Sequence, residues 1–240
     1  MSEVEKVHRW RLCPSGEHWR RTHPLHVKPS IKNPDGITTR HGHCVKNPTR
    51  KDQLYKDEID EIAEAHFHEL TGAPVNDNLD YDNGNSFDAI IRGWTRYWND
   101  VFKPKEKLDP NLIKALIATE SSFIKKQDTK VPGRKIKARG LMQITDETLK
   151  ILTDEKGELK DHFITLNRDD LDEPNSNICA GIRWLFTKKE LASWRLKRDA
   201  TWEEAVEEYK GVLAQRLSGK PYNKNIMPNF RKILMRLKNK

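Results

Sequence analysis

The sequence predicts a mostly helical domain from about Lys51 to the C-terminus, preceded by a small irregular unit with short β-strands. After residue 50, apolar residues recur at helical spacing in several segments, and no strand-rich block interrupts them. Before it, the chain is rich in Pro, Gly, His and Arg and has no sustained helical period. A chain of 240 residues is long enough for one or two domains. We therefore expect two units, residues 1–50 and residues 51–240.

The N-terminal unit is expected to contain a β-hairpin. Two similar arms, residues 18–23 and residues 40–44, flank the turn-forming sequence NPDG at residues 33–36. A unit of this size is too small for a large core and benefits from a disulfide or a bound metal. Its cysteine spacing matches no standard zinc finger, so three interpretations stay open. They are a basic, histidine-rich surface with two free thiols, a disulfide, or a zinc site made by Cys13, Cys44 and two histidines, with His18 and His43 or His23 as candidates.

Most of the formal net charge of +8 lies near the N-terminus, where residues 1–50 contain ten Lys or Arg against four Asp or Glu. A basic protein is attracted to polyanions such as nucleic acid, membrane surfaces and anionic wall polymers, so charge alone does not identify the partner. No window approaches the roughly twenty apolar residues of a membrane span. The first ten residues, MSEVEKVHRW, lack the apolar core of a secretory signal peptide.

Two helices are predicted before the middle of the chain. Residues 51–72 have apolar residues at helical spacing and end at Gly72, which suits a helix stop. Residues 87–102 have an aromatic stripe, which is typical of a face that packs in a core. The stripe consists of Phe87, Ile90, Ile91, Trp94, Trp98 and Phe102.

The central helix begins with a clear signal and contains an unusual carboxylate. Asp109 is a suitable N-cap, and Pro110 suits the first helical position because it has no N–H to lose. Glu120 lies three and four residues from apolar residues on both sides, so it shares their core-facing stripe. A buried carboxylate without a partner favours its protonated form, which is the form that a general acid uses. The alternative is a glutamate at the edge of the stripe whose carboxylate reaches water.

Four sequence blocks occur in the order found in one enzyme family. They are Glu120-Ser121, the GLMQI block at residues 140–144, the NICAG block at residues 177–181, and Glu208-Tyr209-Lys210-Gly211. In this order they resemble the soluble lytic transglycosylases (SLT type) of the lysozyme-like superfamily. The resemblance covers residues 108–240 and implies an all-α, lysozyme-like catalytic domain. Thr145, Asn175 or Asn177, and Thr201 with Glu204 are the predicted N-caps of its later helices.

The resemblance also implies roles for individual residues. Glu120 would be the catalytic acid, with Met142 and Gln143 lining the cleft and Tyr209 bonding near the acid and the substrate. The GLMQI block looks strand-like, with Gln143 directed into the cleft. Thr129, in a basic link about five residues longer than is usual in the family, is the candidate for the Ser or Thr that helps to hold the acid or substrate. These five residues are the predicted site.

Two departures from the family pattern affect this prediction. Lys210 replaces the asparagine that usually follows the tyrosine, and Glu208 replaces an alanine. A cation beside the catalytic acid would oppose its protonation, whereas an outward-pointing Lys210 would cause no conflict.

The function that the resemblance implies is cleavage of the β-1,4 bond between N-acetylmuramic acid and N-acetylglucosamine in peptidoglycan, with formation of 1,6-anhydro ends and no required cofactor. The blocks contain one well-placed acid, whereas most glycosidases use two carboxylates. A goose-type muramidase, in which Asp128, Asp146 or Glu147 positions water, stays an alternative, as does an inactive wall- or nucleic-acid-binding protein. Peptidoglycan is the expected partner, nucleic acid is not, and the oligomeric state is open. Action at the cell wall would require delivery by a phage, by lysis or by a secretion system.

Overall fold

The computed structural model describes residues 9–48, 52–126, 129–130, 137–159 and 161–240, with backbone only at residues 129–130. Its helices are α1 (Lys56–His66), α2 (Asp88–Phe102), α3 (Pro110–Ser121), α4 (Asp146–Thr153), α5 (Pro174–Leu196), α6 (Trp202–Tyr209), α7 (Val212–Leu217) and α8 (Ile226–Lys238), with a short 3-10 helix at Asp169–Asp172. Its strands are β1 (Glu17–Arg20), β2 (His23–His26), β3 (Ile37–Arg40), β4 (His43–Lys46), β5 (Gln53–Tyr55), β6 (Thr129–Lys130), β7 (Lys137–Arg139), β8 (Ile144–Thr145) and β9 (Phe163–Thr165).

The N-terminal strands form the predicted antiparallel hairpin. β1 pairs with β4 and β2 pairs with β3, so that His18 lies opposite Val45 and His23 lies opposite Arg40. The turn falls between β2 and β3, where the backbone N–H of Gly36 donates to the carbonyl of Asn33 at 3.2 Å. The side chains of β2 and β3 are mostly exposed, so this end of the hairpin projects from the rest of the molecule.

A disulfide between Cys13 and Cys44 joins the segment before β1 to β4. Two of the three cysteine interpretations are therefore wrong, because sulfur atoms bonded to each other are neither free thiols nor zinc-binding thiolates. The histidines proposed as ligands have other partners: Nδ1 of His18 lies 2.8 Å from Oδ1 of Asn47, and Nδ1 of His43 lies 2.9 Å from the carbonyl of His41. Within the described residues, no group of three or more His, Cys, Asp or Glu side chains is placed to hold a metal ion.

A buried arginine connects the hairpin to the helical part. Nε of Arg11 donates to Oε1 of Glu58 on α1 at 2.8 Å, and Nη1 of Arg11 donates to Asp52 at 3.0 Å. Burial raises the pKa of Glu58 to about 7, against the opposing effect of the Arg11 cation. The hairpin and the helices therefore share buried polar contacts at this junction.

The prediction of one helix over residues 51–72 is wrong at both ends, because α1 ends at His66 and not at Gly72. Gln53, Leu54 and Tyr55 form β5, which pairs in parallel with β9, and α1 begins only at Lys56. The paired residues are more than a hundred positions apart in the sequence, so local helical preferences could not predict this strand. A second departure from an all-α domain is the antiparallel sheet β6-β7-β8. The described residues after position 50 are nevertheless mostly helical.

The core lies between α2, α3 and α5. The predicted aromatic stripe on α2 is largely buried, and the indole N–H groups of Trp94 and Trp98 donate to Oδ1 of Asn175 and the carbonyl of Cys179 on α5. Cys179 is a buried free thiol. α3 presents its apolar residues to this core, and α6 and α8 pack against α5 and α3 respectively. The ends of α3 and α6 are thereby held beside each other.

Candidate active site

Glu120 lies at the C-terminal end of α3, where the helix meets a cleft. The helix begins as predicted: the side chain of Asp109 accepts a hydrogen bond from the backbone N–H of Asn111 at 2.9 Å, and Pro110 is the first helical residue. It ends at Ser122, whose φ of 51° is left-handed. Residues on both sides of Glu120 are buried in the core, but its own side chain is 19% exposed. The carboxylate therefore reaches the cleft from a rigid, buried helix.

The GLMQI block forms a tight turn beside Glu120, and not the predicted strand. The backbone N–H of Gln143 donates to the carbonyl of Gly140, and both residues have positive φ, 48° and 69°. A side chain at Gly140 would approach Nδ2 of Asn177 to 2.2 Å and the carbonyl of Leu171 to 2.5 Å, so the turn requires glycine here for both conformation and space. Only Ile144 of the block belongs to a strand.

The turn brings Gln143 into the cleft and buries Met142. Gln143 lines the cleft, as predicted, and its Nε2 donates to the carbonyl of Gly140 at 2.8 Å. The prediction that Met142 lines the cleft is wrong, because its side chain has no exposed surface and packs against Gly181 on α5. The alternation of side chains along a strand could not predict these two side-chain positions, because the block forms a turn and not a strand. The contribution of Met142 is its backbone.

Asn177 fixes this turn from within the core. Its Oδ1 accepts from the backbone N–H of Met142 at 2.8 Å, and its Nδ2 donates to the carbonyls of Arg139 at 3.0 Å and Leu171 at 2.9 Å. The predicted capping role of Asn175 or Asn177 is wrong, since the N-cap of α5 is Glu173 and Pro174 begins the helix. Asn177 lies one turn inside the helix, where its amide satisfies three backbone groups of the neighbouring loops.

Tyr209, the last residue of α6, holds the turn from the opposite side. Its hydroxyl donates to the carbonyl of Met142 at 2.6 Å, and its ring lines the cleft. Burial, and secondly the Glu120 carboxylate, raise the pKa of Tyr209 well above its ordinary value, so the hydroxyl stays protonated as a donor. The predicted capping box is present at the start of α6, between Thr201 and Glu204. The capping box in the sequence therefore correctly predicted the start of the helix that ends at Tyr209.

Lys210 follows Tyr209 and points into the cleft. Its Nζ forms an ion pair with Oε1 of Glu120. The lysine side chain is 6% exposed and the glutamate 19%, so both ions are largely removed from water. Lys210 therefore does not point outward, and its cation lies beside the predicted catalytic acid. Glu208, the other departure from the family pattern, is buried and paired with Arg195 at 3.2 Å, away from this cleft.

The cleft has a volume of about 870 Å³ and a wall that sequence reasoning did not assign to the site. This wall is α8, whose apolar residues recur at helical spacing among basic ones, a pattern that predicts a basic amphipathic helix. Arg236 on α8 binds Asp77 and Asp80 of the loop before α2, with Nε of Arg236 2.9 Å from Oδ2 of Asp77. The side chains lining the cleft come from this loop, α3, the turn, α6 and α8, and they include Asp80, Tyr81, Glu120, Gln143, Tyr209, Lys210, Asn229, Lys232 and Arg236.

The remaining candidate residues are placed as follows. The backbone of Thr129 pairs with Ala138, which lines the cleft, but the side chain of Thr129 and the whole of Asp128 lie outside the described residues. Asp146 is in the first turn of α4, 3.2 Å from Nε of Arg168, and Glu147 follows it; the described cleft lining contains neither. Within the described residues, the carboxylates that line the cleft are Glu120 and Asp80.

A second cavity, of about 690 Å³, lies on another side of α6. Its lining includes Glu207, Arg216 and Arg231, which form a network of ion pairs. None of the predicted site residues lines it. Glu120, Gln143 and Tyr209 line the larger cleft instead.

Part of the cleft lies within a segment that matches a protein-family model. Residues 99–206 match the family model described as a transglycosylase SLT domain, so the chain contains an SLT domain over these residues. The matched segment includes Glu120, the GLMQI turn and Asn177, and it ends just before Tyr209 and Lys210. No curated protein and no solved structure matched the chain. An SLT domain implies a peptidoglycan substrate and peptidoglycan-cleaving transglycosylase activity.

Proposed function

We propose that the protein is a peptidoglycan lytic transglycosylase that uses Glu120 as its single catalytic acid. The observation that carries the proposal is the position of Glu120: a carboxylate on a buried helix of the SLT domain that opens into a cleft of about 870 Å³. A rigid helix, packed on both sides of the acid, supports the precise positioning that catalysis needs.

The proposed reaction has two proton transfers and consumes no water. Glu120 donates its proton to the oxygen that links C1 of N-acetylmuramic acid to the next sugar, and the C1–O bond breaks with the electron pair leaving on that oxygen. The acetamide of the muramyl residue assists at C1. The carboxylate of Glu120 then takes the proton from the muramyl 6-hydroxyl, whose oxygen bonds to C1. The products are an anhydromuramyl end and a free hydroxyl on the neighbouring sugar.

The neighbours of Glu120 support this assignment by position. Tyr209 is held by Met142 beside the acid, and Gln143 enters the cleft from the turn on the other side. We assign substrate contacts to Gln143 and Tyr209, and we keep Thr129 as a proposed contact because its backbone pairs with a cleft residue. Met142 acts through its backbone, which accepts the hydrogen bond of Tyr209.

The Lys210–Glu120 ion pair constrains the first proton transfer. An ammonium stabilises the ionised form of a neighbouring carboxylate, whereas the first step requires the protonated form. The second step requires the ionised form, which the same ammonium favours. The pair must therefore open for bond cleavage, and it is suited to the ring closure that follows.

One observation favours a second candidate function, a muramidase that hydrolyses the same bond. Asp80 lines the same cleft as Glu120, and a second carboxylate is what a hydrolase uses to activate water. Asp80 is already engaged by Arg236, which binds it through two nitrogens. This engagement holds the carboxylate in the wall, and we place the hydrolase second for that reason.

The test compares the products of three proteins incubated with purified peptidoglycan: wild type, Glu120→Gln and Asp80→Asn. We expect the wild type and Asp80→Asn to release anhydromuropeptides, detected by mass spectrometry as products lighter by one water than reducing-end fragments. Glu120→Gln should release none while still folding, with a lower unfolding temperature because Lys210 loses its counter-ion. Reducing-end products that depend on Asp80 would support the hydrolase. Binding of peptidoglycan without products from any of the three would support the inactive binding protein.

The same proposal assigns the site of action to the cell wall. The SLT domain implies action there, and the Cys13–Cys44 disulfide is consistent with an extracytoplasmic location. Within the described residues, no helix combines the length and apolar composition needed to cross a membrane. We assign a binding or targeting role to the basic hairpin of the N-terminal unit, because its exposed strands place cations away from the cleft.

A further inference from the structure

The ammonium group of Lys210 needs a counter-ion throughout the catalytic cycle, because its side chain is largely withdrawn from water. Its side chain is 6% exposed, and its partner is the carboxylate of Glu120. An ammonium withdrawn from water to this extent is costly without a counter-ion, and breaking such a pair from one side typically costs several kcal/mol. In the proposed function, Glu120 is protonated when it acts as acid. Lys210 therefore lacks its counter-ion from the time Glu120 takes up this proton until the proton passes to the leaving oxygen.

The other charged groups of the cleft do not replace that counter-ion. Asp80, the other described carboxylate in the lining, is bound by Arg236. Lys232 is a further cation on the α8 wall, and no carboxylate of the described residues is within ion-pair distance of it. Tyr209 beside the pair is neutral, since the pKa of its hydroxyl is raised. Protonation of Glu120 thus leaves the described part of the cleft with an excess of positive charge.

We propose that Lys210 recognises a carboxylate of the substrate, which replaces Glu120 as the counter-ion of Lys210 when the glycan strand binds. This inference rests on the proposed function and identifies the substrate class: glycan whose muramyl residue bears a free carboxylate. The lactyl side chain supplies it directly where the stem peptide has been removed, and an acidic residue of the stem supplies it where the stem is present. In both cases the carboxylate hangs from the same sugar whose C1 reacts.

Lysine is chemically suited to this exchange. Its ammonium is a point charge on a flexible stem of four carbons, so it can pass from one carboxylate to another without a fixed geometry. The asparagine that usually follows the tyrosine in the resembling family has no charge to balance and needs no such exchange. Binding of an acidic substrate would release Glu120 from the ion pair, whereas a neutral glycan would leave the ion pair closed. Lys210 is on this account a positioning residue that couples substrate charge to the acid.

The test uses the full chain and four substrates. Amidase-treated strands, which have free lactyl carboxylates, and stem-bearing strands are each used unmodified and after conversion of their carboxylates to neutral methylamides. The rate of formation of anhydromuramyl ends is measured as kcat and KM for each substrate. For the wild type we expect kcat to fall by about tenfold or more on the neutralised form of the strand whose carboxylate is recognised, since one uncompensated charge is worth at least 1.4 kcal/mol. If kcat falls on the neutralised amidase-treated strands, the recognised carboxylate is the lactyl one; if it falls on the neutralised stem-bearing strands, the recognised carboxylate belongs to the stem.

Two variants make the assignment specific. Lys210→Met keeps the length of the side chain without its charge, and we expect its kcat to be the same on unmodified and neutralised strands. Lys232→Met removes a different cleft cation, and we expect this variant to keep the wild-type ratio of kcat between unmodified and neutralised strands, whatever its effect on KM. Equal wild-type kcat on all four substrates would overturn the inference without any variant. A wild-type ratio retained in Lys210→Met would also overturn it. Failure of the proposed function is a separate result, because it would give no anhydromuramyl ends from unmodified strands.

Discussion

The hydroxyl of Tyr209 donates a hydrogen bond to the carbonyl of Met142 at 2.6 Å, and the amide of Asn177 accepts one from the N–H of the same residue at 2.8 Å. The backbone of Met142 is thus held from two helices, α6 and α5. This arrangement explains why the turn that carries Gln143 stays beside Glu120, although its left-handed residues make it a conformation that few sequences adopt. The site is organised by backbone contacts as much as by side chains in the cleft.

Asn177→Ala is expected to destabilise the protein and to lower activity more than the stability loss explains. The change removes three hydrogen bonds and leaves the buried N–H of Met142 without its acceptor, at a cost of about 3 kcal/mol. Chemical denaturation measures this cost, and kcat/KM on peptidoglycan measures the displacement of the turn. The matched control is Asn175→Ala, which removes the partner of Trp94 two residues earlier on α5. Equal specific activity of the two folded variants would contradict the role of Asn177.

Tyr209→Phe is expected to separate the hydrogen bond from the packing of the ring. The phenylalanine keeps the aromatic contact and loses only the donor to Met142, so the free energy of unfolding should fall by about 1 kcal/mol. Loss of a fixed position for the turn should lower kcat by about tenfold, with little change in KM for a long glycan strand. Steady-state kinetics on peptidoglycan check this. A fall in stability without any change in kcat would mean that the hydroxyl is only structural.

The local parts of this site could be predicted from the sequence, because they depend on neighbouring residues. The caps at Asp109, Thr145 and Thr201 are examples, since a side-chain oxygen and the N–H two or three residues later form a self-contained signal. The position of Glu120 in the apolar stripe of α3 also followed from periodicity. Gln143 was located by resemblance, and its left-handed turn was not foreseen because the block has apolar residues that suit a strand.

The parts that were missed depend on contacts between distant segments. Lys210 and Glu120 are ninety residues apart, and nothing near either residue indicates which way the lysine points. β5 exists because β9 pairs with it, and α8 belongs to the site because its basic face meets the loop at Asp77 and Asp80. The amphipathic pattern of α8 predicted a helix correctly, but it could not tell what its polar face would contact.

Acid is expected to weaken the start of α6 through Glu204. The hydrogen bond from Arg198, the largest cause, depresses the pKa of Glu204 to about 2 from its ordinary 4.5. A carboxyl whose pKa is depressed in the folded state stabilises that state above its unfolded pKa, and the contribution is lost as pH falls from about 4.5 towards 2. Thermal unfolding of the wild type and Glu204→Gln should therefore differ at neutral pH and converge in acid. Thr201→Ala removes the cap hydroxyl, which does not titrate in this range, so its deficit in Tm should persist in acid.

Removal of the disulfide is expected to loosen the N-terminal unit and to spare the cleft. The bond closes a loop with a sequence separation of 31, for which chain entropy predicts a stabilisation of about 3–4 kcal/mol. A Cys13→Ser, Cys44→Ser variant should show faster amide hydrogen exchange in β1 and β4, while the amides of α3 and α5 exchange as in the wild type. Its kcat on short soluble glycan strands should be unchanged. Loss of protection throughout the helices would mean that the two units unfold together.

The exposed hairpin is expected to bind the wall polymer by charge. Lys28, Lys32 and Arg40 are exposed residues of β3 and of the segment between β2 and β3, and none of them lines the cleft. Replacing all three with Gln should weaken sedimentation with intact peptidoglycan sacculi by about tenfold at low salt, because this attraction is electrostatic and screened by ions. The control replaces Lys103, Lys105 and Lys107, three exposed lysines after α2, and has the same net charge. If the two triple variants bind sacculi equally, net charge explains the attraction. If only the hairpin variant loses binding, and its kcat on short soluble strands is retained, the hairpin is the targeting element.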